Sequence, residues 1–194
     1  VKSLAQALGW PLIADIQSQL KADPECLGLI DQLLCDNQAI EQLKHPQQLL
    51  QFGARLVSKR LQAFIDQQPW QQFWLVHPGD TPLAPGRNSS RFFSATVSDW
   101  CQQRLTEMTP APAQTEQPTK RLLLQRQRSL AEALSQQFSA INHPELSELA
   151  VTYQLLANNP DQCWLLAGNS LSIRMLDLIG GCLSNQPQLF ANRG

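Results

Sequence analysis

Apolar and polar positions fall in blocks along the chain, and the period changes from block to block. Residues 2–8 have helical spacing and stop at Gly9, which predicts the tail of a helix. Residues 10–16 form a short apolar run with Pro11 near its start, which predicts a short buried strand. Residues 27–43 have helical spacing with a break at Asp36-Asn37. Residues 47–52 predict a strand, followed by Gly53-Ala54-Arg55. Residues 57–66 predict an amphipathic helix with Leu61, Phe64 and Ile65 on one face. Strands are predicted at 73–77 and 91–95, with a turn-rich stretch at 82–90 between them. A helix over 97–105 has Thr96 or Ser98 as its cap.

The pattern then breaks. Residues 107–119 (EMTPAPAQTEQPT) hold three Pro and no periodicity, which predicts a linker or exposed connection. Beyond it, 121–141 predicts a long helix with Leu123, Leu130, Leu134 and Phe138 at helical spacing. A helix at 145–157, a buried strand at 163–167, a helix at 170–183 and a short strand at 189–191 follow. Strands alternating with helices define an α/β class with a parallel sheet. The opening helix has no strand before it and the last strand no crossover after it. Both features are expected of a chain cut from something longer, as is a start at Val1 rather than Met.

Composition narrows the function classes. In 194 residues, 26 Gln stand against 15 Lys+Arg and 16 Asp+Glu, for a net charge of −1. Phosphate neutralisation calls for a basic excess, so nucleic acid is not the expected partner. No apolar run reaches the roughly 18–20 residues that span a membrane, and no secretory signal opens the chain. The five Cys are odd in number and form no CxxC, which predicts buried thiols in a reducing cytoplasm rather than a disulfide framework. Each of His45, His77 and His143 precedes Pro and reads as a turn position, so no zinc site is expected.

The strongest chemical signal is residues 165–174 (LLAGNSLSIR), where a strand runs through Gly-Asn-Ser directly into a helix. Open α/β sheets bind ligands at such strand ends, and the free N–H groups of the helix start favour anions. Asn169 or Ser170 is the natural cap, and Arg174 lies on the face of Ser170 one turn along. Hydroxyl, amides and guanidinium could meet one carboxylate there. The bland alternative is that Ser170 only caps the helix and Arg174 pairs with Asp177. Arg193 follows the last strand and could join the same pocket, or be a solvated tail residue. Lys59 and Arg60 open another helix, where cations oppose the macrodipole unless an anion offsets them. An exposed basic pair is the alternative. A P-loop, GxGxxG, GxSxG and HExxH are all absent, and no acid/base carboxylate pair stands out.

Residues 9–15 (GWPLIAD), Ser58-Lys59-Arg60-Leu61, Ala167-Gly168-Asn169-Ser170-Leu171 with Arg174, and Asn192-Arg193-Gly194 occur together and in order. In these segments the chain resembles the family of 2-succinyl-5-enolpyruvyl-6-hydroxy-3-cyclohexene-1-carboxylate (SEPHCHC) synthase. These are thiamine-diphosphate enzymes of menaquinone biosynthesis. The resemblance implies a three-layer α/β/α central domain with a mainly parallel sheet over residues 1–106, lacking its first strand. It implies a linker at 107–119 and the opening of a diphosphate-binding domain at 120–194.

The family reaction decarboxylates 2-oxoglutarate and adds the succinyl unit to isochorismate. The resemblance makes Ser170, Arg174 and Arg193 ligands of the succinyl-side carboxylate, and places Lys59 and Arg60 nearer isochorismate. It locates the activating glutamate and the motifs for thiamine diphosphate and Mg2+ in parts absent from this chain. The fragment alone is then expected to be inactive, and its full-length parent to be a cytoplasmic homo-oligomer. Two readings from other classes remain beside it: a non-catalytic α/β module binding a small anion, and a structural or subunit-contact domain.

Overall fold

Local capping sets most element ends. The protein is described here by a computed structural model covering residues 1–80, 91–108, 118–139, 147–160, 163–183 and 187–191. Helix α1 (Lys2–Leu8) ends at Gly9, whose φ of 68° is left-handed and open to glycine without a Cβ penalty. The break expected at Asp36-Asn37 separates α2 (Ile30–Leu33) from α3 (Asn37–Lys44), and the Asp36 carboxylate accepts from the Gln38 amide at 2.9 Å. Ser58 caps α4 (Lys59–Gln67), Thr96 caps α5 (Val97–Glu107) and Ser147 caps α7 (Glu148–Ala157). The long helix is α6 (Pro118–Ser139). The stretch 82–90 and most of the expected linker lie outside the described residues.

All pairing among the described strands is parallel. Strands β3 (Gln48–Phe52), β4 (Gln72–His77) and β5 (Arg91–Ser94) form one sheet in that order. Side chains of this sheet alternate between two apolar layers, as the pleat requires. Leu49 and Phe73 point into a cluster with Leu61 and Ile65 of α4, Leu27, Ile30 and Leu33, and Leu123 and Leu124 of α6. Leu50, Phe52, Trp74, Val76 and Phe93 point the other way, against Trp100 of α5 and Leu4 of α1. Trp100 meets the rings of Phe52 and Phe93 edge-on, with centroids 5.9 and 5.4 Å apart. Helices therefore cover both faces, which is the three-layer α/β/α arrangement.

Two smaller parallel pairs flank this sheet. Strands β1 (Leu12–Ile13) and β2 (Cys26–Leu27) form one, and β6 (Trp164–Ala167) and β7 (Gln188–Ala191) the other. The strand expected over 10–16 shrinks to two residues because Asp15 caps a 3-10 turn, Ile16–Ser18. The pairing strand β2 was not apparent in the apolar pattern, where it merged with the helical run that follows.

The helix expected over 170–183 ends earlier. It consists of α8 (Leu171–Ile179) and a 3-10 turn at Gly180–Cys182. The strand expected at 163–167 is not buried throughout: Trp164 and Leu166 are each 76% exposed. Leu165, Ala167, Leu189 and Ala191 pack inward with α7 and α8, while the opposite face of the two-stranded sheet has no cover among the described residues.

Candidate functional site

The two basic helix starts rest on one scaffold. Val57, two residues before Lys59, packs in the same buried cluster as Ile16 and as Ile173 and Leu176 of α8. The Val57 amide donates to Asp15 Oδ2 at 2.9 Å, and the Gln17 amide to Asp15 Oδ1 at 2.8 Å. The neighbouring Ile16 amide donates to Asp177 Oδ1 of α8 at 2.9 Å. Asp177 Oδ1 also receives the Lys21 ammonium at 2.8 Å. Both side chains of that pair are inaccessible, at 0% exposure for Lys21 and 4% for Asp177. Burial raises the Asp15 carboxyl above its ordinary value, and the nearby Asp177 charge pushes the same way, while its two backbone hydrogen bonds oppose both.

Further polar ties hold the α6–α8 half against the front half. Gln127 of α6 is buried, accepts from the Leu29 amide at 2.9 Å and donates to the Cys26 carbonyl at 2.8 Å. The Gln32 side-chain amide donates to the Leu178 carbonyl at 2.7 Å. At this seam a Cβ on Gly28 would lie 2.2 Å from the Lys21 carbonyl oxygen, and one on Gly181 2.6 Å from the Gly28 carbonyl carbon. Only glycine permits that backbone approach. Burial pushes the Cys26 and Cys182 thiols up to about 11, so neither is a thiolate at neutral pH.

Ser170 stands at the cap position of α8, but its side chain makes no capping hydrogen bond. Its backbone has φ 70° and ψ −118°, a conformation rare outside glycine and costly for a side chain. The capping alternative for Ser170 is therefore not what the structure shows. The first amides of α8 and the exposed Ser170 hydroxyl face solvent together. Arg174, one turn along, is half-buried, and its Nε is enclosed with no hydrogen-bond partner. It does not take Asp177, which Lys21 and the Ile16 amide occupy.

Lys59 and Arg60 are exposed in the first turn of α4. Arg60 turns away from its own helix end: Nη1 donates to the Asp31 carbonyl at 2.9 Å and also contacts the Cys35 sulfur. That contact meets the negative end of α2 and offsets the macrodipole conflict without a ligand. Arg193 lies outside the described residues. The structure thus joins the starts of α4 and α8 through one core. Sequence reasoning missed the groups that do the joining, Asp15, Lys21, Gln127 and Asp177. The close pair Gly28 and Gly181, 153 positions apart, has no local signature either.

The family model described as "Middle domain of thiamine pyrophosphate" matches residues 1–166, and the chain belongs to that family of thiamine-diphosphate enzymes. The parallel α/β sheet with helices on both faces agrees with the family match. Curated relatives agree along the full chain. It is 36% identical over 194 residues to a protein of Shewanella frigidimarina and 37% identical over 194 residues to one of Aeromonas salmonicida. A third, from Shewanella loihica, is 34% identical over 191 residues, or 98% of this chain. All three are named 2-succinyl-5-enolpyruvyl-6-hydroxy-3-cyclohexene-1-carboxylate synthase. The chain covers 32% of each of these relatives, so it spans about a third of their length.

Proposed function

We propose that this chain is the part of a SEPHCHC synthase that holds substrate carboxylates, within a protein that decarboxylates 2-oxoglutarate and adds the succinyl unit to isochorismate. One observation carries the reading: the enclosed, unpartnered Nε of Arg174 lies one turn from a strained, uncapped Ser170 at a helix N-terminus. A carboxylate there would receive the α8 amides, the Ser170 hydroxyl and the Arg174 guanidinium. These groups bind and orient the substrate. Arg193 belongs to the same set by its place after β7. Lys59 and Arg60 serve the isochorismate side, and Lys59 is the stronger candidate because Arg60 is engaged by Asp31 and Cys35.

The described residues do not fit the cofactor's metal. They contain no group of three His, Cys, Asp or Glu side chains that could hold an ion, and the sequence has no glycine-rich phosphate loop. Following the resemblance, thiamine diphosphate and Mg2+ are assigned to other segments of the longer protein, as is the proton transfer that activates the cofactor. The proposed division lies at 107–119, between a middle domain at 1–106 and the opening of a diphosphate-binding domain at 120–194; the family model runs past it to residue 166, and α6 packs on α2 and α3 across it. The longer protein acts as a cytoplasmic homo-oligomer. Among the described residues no helix is long and apolar enough to cross a membrane.

The test is CO2 release from 2-oxoglutarate with thiamine diphosphate and Mg2+ supplied. The longer enzyme carrying this segment turns over; these 194 residues alone do not. Turnover by the isolated chain would overturn the assignment of cofactor chemistry to other segments.

A further inference from the structure

Residues 9–15 (GWPLIAD) end in Asp15, a carboxylate outside the proposed substrate sites. Asp15 opens the 3-10 turn Ile16–Ser18, and this turn is fixed to both α8 and β7. The Ile16 amide donates to Asp177 Oδ1 of α8, the same oxygen that holds the buried Lys21 ammonium. Three residues on, the Gln19 side-chain amide donates to the Leu189 carbonyl of β7 at 2.6 Å. Its oxygen accepts the Leu189 amide at 3.2 Å. Gln19 has a left-handed φ of 60°, which is costly for a residue other than glycine, and this paired contact holds it there.

From the anchored turn the Asp15 side chain reaches towards α4. Oδ1 accepts the Gln17 amide and caps the turn. Oδ2 accepts the Val57 amide at 2.9 Å, from 42 positions along the chain. Val57 is 1% exposed, and Ser58 after it is buried and caps α4 through the Leu61 amide. Lys59 comes next and is the first residue of α4. The backbone that carries Lys59 is thereby fixed to the turn that also grips α8. Capping does not account for an aspartate at this position. A serine caps a turn without placing a charge in an enclosed site. Here burial and the Asp177 charge both disfavour the Asp15 carboxylate. What its second oxygen adds is the tie to Val57.

We propose that Asp15 is a positioning residue of the enzyme: through the Val57 amide it sets where the Lys59 ammonium stands relative to Ser170 and Arg174 at the start of α8. It acts through Lys59 and not by contact with substrate. The two carboxylate subsites then keep one spacing, and isochorismate is held where the succinyl unit is delivered. The proposal rests on the assignment of Lys59 to the isochorismate side, and loss of the tie is felt at that step.

The test is Asp15→Ser in the longer enzyme carrying this segment. Serine keeps the cap on the Gln17 amide and is too short to reach Val57 as well. The KM for isochorismate rises by about fivefold to tenfold. Single-turnover CO2 release from 2-oxoglutarate, without isochorismate, changes by less than about twofold. Loss of folded enzyme lowers both steps together, so the split separates positioning from stability. Lys59→Ala raises the isochorismate KM by itself. In that background Asp15→Ser adds less than about twofold, because both changes act through one group. Asp15→Thr, which also caps, repeats the split if the serine variant does not fold. Equal losses in both steps, an unchanged isochorismate KM, or full additivity with Lys59→Ala each overturn the positioning role. An isochorismate KM unchanged by Lys59→Ala alone overturns the assignment of Lys59, and the proposal falls with it.

Discussion

The sheet β6-β7 is built from more apolar sequence than β3-β4-β5, yet only β3-β4-β5 is covered on both faces. In the first, Phe73 and Val76 point to opposite sides and both are buried. In the second, Leu165 and Leu189 pack inward, while Trp164, Leu166 and Phe190 stand outside, with the rings of Trp164 and Phe190 5.6 Å apart. Apolar side chains exposed in adjacent strands form a patch that monomeric surfaces rarely carry. The contrast shows that an apolar strand is buried by what packs on it and not by its own composition. It also locates the candidate anion site at the end of the half-covered sheet, where β6 turns into α8.

The contrast is broken most strongly by the buried ion pair that fixes α8 to the front half. Lys21→Met leaves Asp177 enclosed without its partner and costs about 3–5 kcal/mol in urea unfolding. A double variant, Lys21→Met with Asp177→Leu, recovers most of that loss, because removing both charges also removes their desolvation penalty. Next in size is a direct comparison of the two sheets. Phe73→Ala, in the covered one, destabilises by about 3–5 kcal/mol. Leu166→Ala, on the bare face of the other, stays within about 0.5 kcal/mol in the same assay. Equal losses would show that the β6-β7 face is covered in solution.

The smallest effect concerns backbone strain. Ser170→Gly relieves a left-handed φ of 70° and stabilises the chain by about 1 kcal/mol, read as a rise in thermal midpoint. The same change removes the hydroxyl, so substrate affinity in the longer enzyme falls as stability rises. A loss of stability would mean that the serine hydroxyl supports the turn.

Much of the fold was legible in the sequence because local chemistry dictates it. Gly9 ends α1, Asp36 splits α2 from α3, and Thr96 caps the helix it was expected to open. Short apolar runs found β3, β4 and β5. Strand β2 has only two residues, too few to show a period, and its pairing with β1 is a long-range fact. The exposed face of β6 was misread because composition does not report cover. At the candidate site, Ser170 and Arg174 were singled out by their spacing. The rival pairing of Arg174 with Asp177 could be rejected only in three dimensions, where Lys21 arrives from 156 positions away. The engagement of Arg60 by Asp31 and Cys35 was equally invisible, since it depends on how α4 packs beside α2.

The most direct test of the carboxylate reading compares two substrates in the longer enzyme carrying this segment. With 2-oxoglutarate, Arg174→Ala lowers kcat/KM by on the order of 10²-fold or more, as expected for loss of a charge-assisted contact of about 3 kcal/mol. With 2-oxobutyrate, which lacks the distal carboxylate, the same substitution changes kcat/KM by less than about threefold. Equal losses on both substrates, or no loss on 2-oxoglutarate, would contradict the assignment of Arg174 to the succinyl-side carboxylate.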